Sequence, residues 1–245
     1  MIKNAIEKIR HAHHLVVFTG AGISVESGIP PFRGGENSIW AKYDPKYLDL
    51  SYFYQNPEEC WPVIKEIFYD FFGKAKPNQA HLSLANMEKI GILKAIITQN
   101  IDSLHQRAGS SNIIEFHGDC RKLTCLKCHE KIDSADDLFE KLPPLCEKCG
   151  TVLKPDFIFF GENIPPKALQ DAFYHAKESD VFLIIGTTGE VFPAAQIPIT
   201  AKSYGSTIIE INPIPSNFTD HVTDIFLKGK AASIMKEIEE GLNSI

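Results

Sequence analysis

No stretch of this 245-residue sequence stays apolar for long. The longest apolar runs, Leu15 to Phe18 and Val181 to Ile185, fall far short of the roughly 20 residues that a membrane-spanning helix needs. Positive charge is also scarce: 25 Lys and Arg face 31 Asp and Glu, a formal net charge of −6. Phosphate-backbone binding wants a basic surface, so direct nucleic-acid binding is not expected. The N-terminal MIKNAIEKIRHAHH has no apolar stretch leading to a small-residue cleavage site. It does not read as a secretory signal, and a cytoplasmic location is the expectation. There is no repeat at a solenoid period and no low-complexity tract. Hydrophobic residues at 44% and charged residues at 23% are ordinary for a globular chain and exclude the disordered and fibrous classes. On a prior of roughly 150 residues per domain, one large domain or one domain with a small insert is expected.

Cysteine is sparse but patterned. Of six, Cys125/Cys128 and Cys146/Cys149 form two Cys-x-x-Cys pairs, while Cys60 and Cys120 stand apart. In a chain without a secretory signal this spacing predicts one structural Zn2+ rather than a disulfide framework. Four thiolates complete a tetrahedral shell, so the metal has no open position for catalysis. Arg121, Lys122, Lys127 and Lys131 make this stretch locally basic, which reads as a solvated face.

The remaining chain alternates short β-branched runs with helical periodicity. Strands are expected at Leu15 to Thr19, Ala95 to Thr98, Phe157 to Phe160, Val181 to Ile185 and Thr207 to Ile211. Helices are expected at Ala5 to His13, Ala80 to Lys89, Ile101 to Ala108, Lys167 to Lys177, Ala194 to Lys202 and Ala231 to Leu242. This alternation predicts an α/β fold: a Rossmann-like parallel sheet covered by helices on both faces. Residues 34–78, rich in aromatics from Tyr52 to Phe71 and Phe72, and residues 119–154, with the four cysteines, interrupt it. They are expected to form a smaller helical and zinc-binding domain, leaving 1–33, 79–118 and 155–245 as the nucleotide-binding domain. A cleft between the two is the natural ligand site.

Three further motifs carry chemistry. Thr19-Gly-Ala-Gly-Ile-Ser24 follows the first strand; it is either a plain tight turn or a loop whose glycines let the backbone approach a pyrophosphate. Val25 stands where the dehydrogenase fingerprint has its third glycine, and no ribose-binding acid follows a second strand, so a hydride-transfer enzyme is set aside. Thr98-Gln-Asn-Ile-Asp102 ends another strand; Asn100 and Asp102 either cap the next helix or bind a ligand's carboxamide and ribose. His117, followed by Gly118, has the side chain best suited to a general base near neutrality. The glycine is expected to leave room for a substrate.

In this order the motifs resemble the sirtuin (Sir2) family of NAD-dependent protein deacylases, in compact microbial form. The carrying residues are Gly20-Ala-Gly-Ile-Ser24, Ser27-Gly-Ile-Pro with Phe32-Arg33-Gly34, Lys76-Pro-Asn with Ala80-His81, and Thr98-Gln-Asn-Ile-Asp102 with Leu104 to Gly109. His117-Gly118, the cysteine quartet, Lys154-Pro-Asp, Phe159-Phe-Gly-Glu162, Gly186-Thr-Thr188, Pro193-Ala-Ala195 and Glu210-Ile-Asn-Pro213 follow, so the resemblance spans nearly the whole chain.

The resemblance implies NAD as co-substrate, with Gly20, Ala21, Gly22 and Ser24 at its phosphates. Phe32 and Arg33 belong to the cofactor loop. Gln99 and Asn100 meet the ribose, Ile101 and Asp102 the carboxamide, and Gly186, Thr187, Asn212, Pro213, Lys230 and Ala231 the adenosine half. His117 is the implied base, and Asn100 is implied as the second catalytic residue. Ile158, Phe160, Gly161, Glu162 and Val191 form the groove where an acyl-lysine protein or peptide adds as a strand. The implied reaction moves the acyl group from lysine to ADP-ribose, with release of nicotinamide and O-acyl-ADP-ribose. ADP-ribosyl transfer or NAD hydrolysis on the same site is the alternative, and a non-catalytic NAD sensor a third, disfavoured by the joint presence of Asn100, Asp102 and His117.

The chain departs from the family pattern at Pro31, where Asp is usual, at Thr188, and at Gly189-Glu190, where two small apolar residues are common. Pro31 stiffens the cofactor loop. Glu190 either faces solvent or favours basic peptides. Trp61 to Phe72 lacks the Tyr-x-x-Arg pair of members that prefer acidic acyl groups; with no Arg to hold a carboxylate, a neutral acyl group is expected.

Overall fold

The computed structural model describes residues 1–33, 36, 38–70 and 74–244; Gly34, Phe71 and Phe72 lie outside these. Along the chain run α1 (Ile2–Arg10), β1 (Leu15–Thr19), a 3-10 helix (Ala21–Ser27), α2 (Ile39–Lys42), α3 (Leu50–Gln55), α4 (Pro57–Ile64) and α5 (Gln79–Lys89). Next come β2 (Leu93–Thr98), α6 (Leu104–Ala108), β3 (Ile113–Glu115), β4 (Gly118–Cys125), β5 (Lys131–Asp133) and β6 (Leu153–Phe157). The chain ends with α7 (Pro166–Glu178), β7 (Val181–Ile185), α8 (Gln196–Ser203), β8 (Thr207–Asn212), β9 (Ile225–Lys228) and α9 (Ala231–Asn243).

Six parallel strands form one sheet in the order β3-β2-β1-β7-β8-β9. Strand residues alternate between its two faces. Leu15, Val17, Leu183 and Ile209 join Ile9 of α1, Leu84 of α5 and Met235 of α9 in one buried cluster. Val16, Phe18, Phe182 and Ile208 join Ala172 of α7 and Ile197 of α8 in another. Both faces are therefore covered, which is why β1 and β7 read as unbroken apolar runs. The order reverses between β1 and β7, and ligands of open parallel sheets sit beyond the carboxyl ends at such a switch point.

A second, antiparallel sheet has the order β5-β4-β6. Its side chains Leu123, Leu153 and Phe157 share one core with Ile39, Phe53, Trp61, Ile64 and Phe68, and Trp61 Nε1 donates to Leu153 O at 2.9 Å. The two interruptions of the large sheet thus pack on each other. The apolar run Phe157 to Phe160 is not a strand of the large sheet: the strand lies at Leu153–Phe157 and belongs to the small one. The expected helix from Ile101 starts only at Leu104, because Asp102 Oδ1 takes the Leu104 N–H at 2.9 Å. The first helix stops at Arg10, short of His13. Among the described residues no helix is long and apolar enough to cross a membrane.

Candidate active site at the switch point

The loops after β1, β2, β7 and β8 converge at the carboxyl edge of the large sheet. The floor is glycine against glycine. Gly22 N–H donates to Gly186 O at 2.8 Å, and Gly20 N–H to Ile185 O at 3.0 Å. A Cβ on Gly22 would lie 2.6 Å from Gly186 Cα, and one on Gly186, whose φ is +66°, would lie 2.3 Å from Ile23 N. No side chain fits between these loops, so they pack backbone on backbone. Ala21 to Ser27 is a 3-10 helix. Its Glu26 carboxylate accepts Ala232 N–H at 2.8 Å, which brings Lys230 and Ala231, at the start of α9, against this loop.

Three polar side chains from two loops meet behind the floor. Ser24 Oγ donates to Asp102 Oδ2 at 2.7 Å. Asn100 Nδ2 donates to Ser24 Oγ and to Gly20 O, both at 3.2 Å. All three residues are buried, as is Ile101. Asp102 splits its oxygens between capping α6 and holding Ser24, so the capping alternative is realised. Burial pushes its carboxyl above the usual range, against the pull of the Leu104 and Ser24 hydrogen bonds. Gln99 Nε2 reaches Thr187 Oγ1 at 3.0 Å, tying the β2 loop to the β7 loop.

Asn212 Nδ2 donates to Thr187 O at 3.1 Å and to Glu210 Oε1 at 2.8 Å. Glu210 is fully buried and also accepts Ser216 Oγ at 2.6 Å, Thr219 Oγ1 at 2.9 Å and Thr223 Oγ1 at 2.7 Å. One carboxylate therefore folds the loop after β8, on which Pro213 is exposed. Sequence reasoning gave Glu210 only a place in a motif; the three hydroxyl residues within 13 positions of it were the available signal.

His117 stands where the chain leaves β3 for β4, between the two sheets. Its Nδ1 lies 3.2 Å from Gln99 O. A carbonyl only accepts, so Nδ1 carries the proton and Nε2 is left as the basic nitrogen. Burial holds its pKa below 6.5, partly offset by that hydrogen bond. Gly118 does not open space for a substrate. Its φ is +70°, and a Cβ there would sit 2.3 Å from Asp156 O, so the glycine lets β4 cross close against β6. Behind β1 and β2, His105 Nε2 lies 3.0 Å from Thr19 Oγ1, which donates to Thr98 Oγ1 at 2.9 Å. His81 is held at about 4 by burial, and His105 well below 6.5. This pair is a neutral buttress that the sequence did not reveal.

Pro31 O and Phe32 O accept from Ile39 N and Trp40 N at 2.9 and 3.1 Å. The Phe32 ring lies 5.5 Å from Trp40 and 6.3 Å from Phe68. Arg33 Nε meets Glu190 Oε2 at 3.4 Å. Glu190 thus pairs with the loop that precedes α2. Ile158, Phe160, Gly161 and Glu162 lie on the segment between β6 and α7. Phe160 pairs with Leu48 and Leu50 through backbone bonds of 2.8 and 3.0 Å, and its ring is exposed. Val191 sits in the β7–α8 loop, its carbonyl accepting Ala195 N–H at 2.8 Å.

The Sγ atoms of Cys125, Cys128, Cys146 and Cys149 lie within 4.8 Å of one another, with Cys125–Cys149 at 3.4 Å and Cys128–Cys146 at 3.7 Å. A tetrahedral zinc with Zn–S of about 2.3 Å sets S–S edges of about 3.8 Å. The quartet fits that ion.

Fold and site together define a Rossmann-like nucleotide-binding protein with an appended four-cysteine module and a buried imidazole at their junction. The Sir2 family model matches residues 20–193. NAD-dependent protein deacylase 2 of Archaeoglobus fulgidus is 43% identical over 244 residues, covering 98% of this chain and 95% of the relative. A solved Sir2 enzyme superposes with a TM-score of 0.91 at 43% identity, covering 99% of this chain and 97% of that one. A Sir2–p53 peptide–NAD+ complex superposes at 0.90 and 34% identity, with 98% of each chain covered. The chain belongs to the Sir2 family.

Proposed function

We propose that this chain is an NAD-dependent protein-lysine deacylase, transferring the acyl group of an acyl-lysine to ADP-ribose with release of nicotinamide. The observation that carries it is His117, with Nδ1 fixed on O of Gln99, the residue before Asn100 of the buried Ser24–Asn100–Asp102 cluster, and with Nε2 as the basic nitrogen. The polar donor set at the switch point suits a dinucleotide. Bound NAD supplies an electrophilic ribose carbon and a leaving group. Gly20, Ala21, Gly22 and Ser24 face its phosphates, and Gly186, Thr187, Asn212, Pro213, Lys230 and Ala231 its adenosine half. Gln99 and Asn100 orient the ribose, while Ile101 and Asp102 hold the carboxamide; Asp102 is itself fixed by Ser24 and the Leu104 N–H. Phe32, packed with Trp40 and Phe68, excludes water, and Arg33 steadies the loop through Glu190. His117 takes a proton at Nε2 from the ribose hydroxyl that attacks the acyl carbon, and water then releases the lysine. Ile158, Phe160, Gly161, Glu162 and Val191 receive the peptide as an added strand. The zinc of the cysteine quartet only holds shape.

The acyl group is neutral. Between Trp61 and Asp70 the one basic residue is Lys65, and its ammonium is spent on Asp70 at 2.7 Å. The shared apolar core supports residues 34–78 and 119–154 as one small domain, its second part extended to Phe157 by β6. Four thiols arranged for a metal rather than for disulfides favour a reducing, cytoplasmic setting. The test incubates the protein with an acetyl-lysine peptide, with and without NAD, and weighs peptide and nucleotide products, alongside His117→Ala. NAD-dependent deacetylation with O-acetyl-ADP-ribose, lost in the variant, is expected. Free ADP-ribose or labelled protein without deacetylated peptide would move the assignment to NAD hydrolysis or ADP-ribosyl transfer. Desuccinylation outrunning deacetylation would refute the neutral-acyl preference.

A further inference from the structure

Lys154 takes no part in the chemistry above, yet it is a lysine in β6 with only 5% of its surface exposed. Its ammonium has three N–H donors and three oxygen partners: Pro155 O at 2.8 Å, Phe157 O at 2.8 Å and Glu162 Oε2 at 2.9 Å. It also sits 4.3 Å from the centre of the Phe159 ring. Glu162 Oε2 closes the arrangement by accepting Phe159 N–H at 2.9 Å. An ammonium taken out of water is tolerated only when its donors are satisfied. The chain from Pro155 to Glu162 is therefore folded around one charge.

That wrapped segment is the one that carries Ile158, Phe160 and Gly161. It is pinned at two further points: Ile158 N–H donates to His117 O at 2.9 Å, and Phe160 exchanges backbone bonds with Leu48 and Leu50. A peptide that adds as a strand is held by main-chain groups, so the edge receiving it must have its N–H and C=O groups aimed in advance. A charge behind the edge can do this without touching the peptide.

We propose that Lys154 is a positioning residue for the acyl-lysine peptide: its buried ammonium, with Glu162, sets the conformation of the Ile158–Gly161 edge on which the peptide strand is laid. This rests on the assignment of that edge to the peptide under the proposed function.

The experiment uses the zinc-loaded full chain. It measures kcat and peptide KM with an acetyl-lysine peptide, the NAD Kd by calorimetry without peptide, and the Tm. Lys154→Met is expected to raise peptide KM at least about tenfold, the scale of one lost charge-assisted hydrogen bond. The NAD Kd should stay within about twofold, as for an independent site. Lys154→Arg, which keeps the charge and donors, should recover part of the loss. Glu162→Gln should raise peptide KM in the same direction, by less. A folded Lys154→Met with unchanged peptide KM, or with peptide and NAD binding weakened together, would overturn the proposal. If Lys154→Met does not fold, Lys154→Gln, which keeps donors but loses the charge, decides: a raised peptide KM with unchanged NAD Kd supports it, and an unchanged peptide KM overturns it. Wild-type protein without NAD-dependent deacylation would instead sink the functional assignment, before any variant is compared.

Discussion

Gly118→Ala is the sharpest perturbation the junction offers. Two costs stack at this position. The first is the left-handed backbone, φ +70°, at roughly 1–2 kcal/mol for a residue with a Cβ. The second is steric: the new Cβ would lie 2.3 Å from Asp156 O and 2.9 Å from Phe157 Cα. Both are backbone atoms of β6, so relief requires the β4–β6 pairing to shift, at about 1–3 kcal/mol. The sum, about 2–5 kcal/mol, is a large part of the roughly 5–15 kcal/mol that holds a typical domain. Gly91→Ala is the control. Its φ is +81°, and a Cβ there meets nothing within 4 Å, so it should lose only the first roughly 1–2 kcal/mol. Thermal melts read the difference at about 2–4 °C per kcal/mol for a chain of this size. The same shift would move His117, the preceding residue, whose carbonyl is tied to Ile158, and misplacement of about 1 Å costs on the order of 100-fold in rate. If Gly118→Ala melted with Gly91→Ala and kept wild-type kcat, the close crossing of β4 over β6 would not constrain the base.

Other outcomes follow from the same geometry. The base must be neutral to take a proton, and burial holds His117 below 6.5; activity should therefore rise with pH and reach its plateau through an acid limb whose midpoint lies below 6.5. A limb above that value would assign the titration to another group. Metal analysis should find one zinc per chain, and Cys146→Ser should release it and melt the small sheet ahead of the large one, visible as a separate early transition in calorimetry. Glu190→Gln removes an exposed ion pair worth about 0.2–1 kcal/mol. It should raise the NAD KM by less than about sixfold, and the effect should vanish in high salt; an effect that survives high salt would rule out the Arg33 contact as its cause.

What could be read from the sequence follows from where the apolar periodicity is strong. β1 and β7 are continuous buried runs and were placed to the residue, and β2 and β8 to within two. The cysteine quartet was legible because metal geometry demands a fixed spacing. β4 was not, because Gly-Asp-Cys-Arg-Lys-Leu-Thr-Cys has no clean alternation. β9 escaped because it has only four residues. β6 was displaced toward Phe157–Phe160 because its own residues include Lys154, Pro155 and Asp156, and a buried ammonium satisfied by backbone carbonyls leaves no apolar signature. At the site, the residue types named themselves, but their pairings did not. That Asp102 meets Ser24, 78 positions away, or that Arg33 meets Glu190, depends on loops brought together by the fold.

The hydrogen bond from Trp61 to Leu153 spans 92 positions, and it has a consequence for how the molecule assembles. Closing a free loop of that length costs on the order of 4 kcal/mol in chain entropy, beyond a constant. Neither half of the small core can recover that alone, because each supplies only part of the apolar surface. The parallel strands β1, β2 and β3 lie between and beside the two halves in the chain, and their pairing draws the ends together. The small core should then be the late step of folding. Metal capture by the four thiols would precede its completion, giving a refolding trace in which zinc uptake is faster than the burial of Trp61.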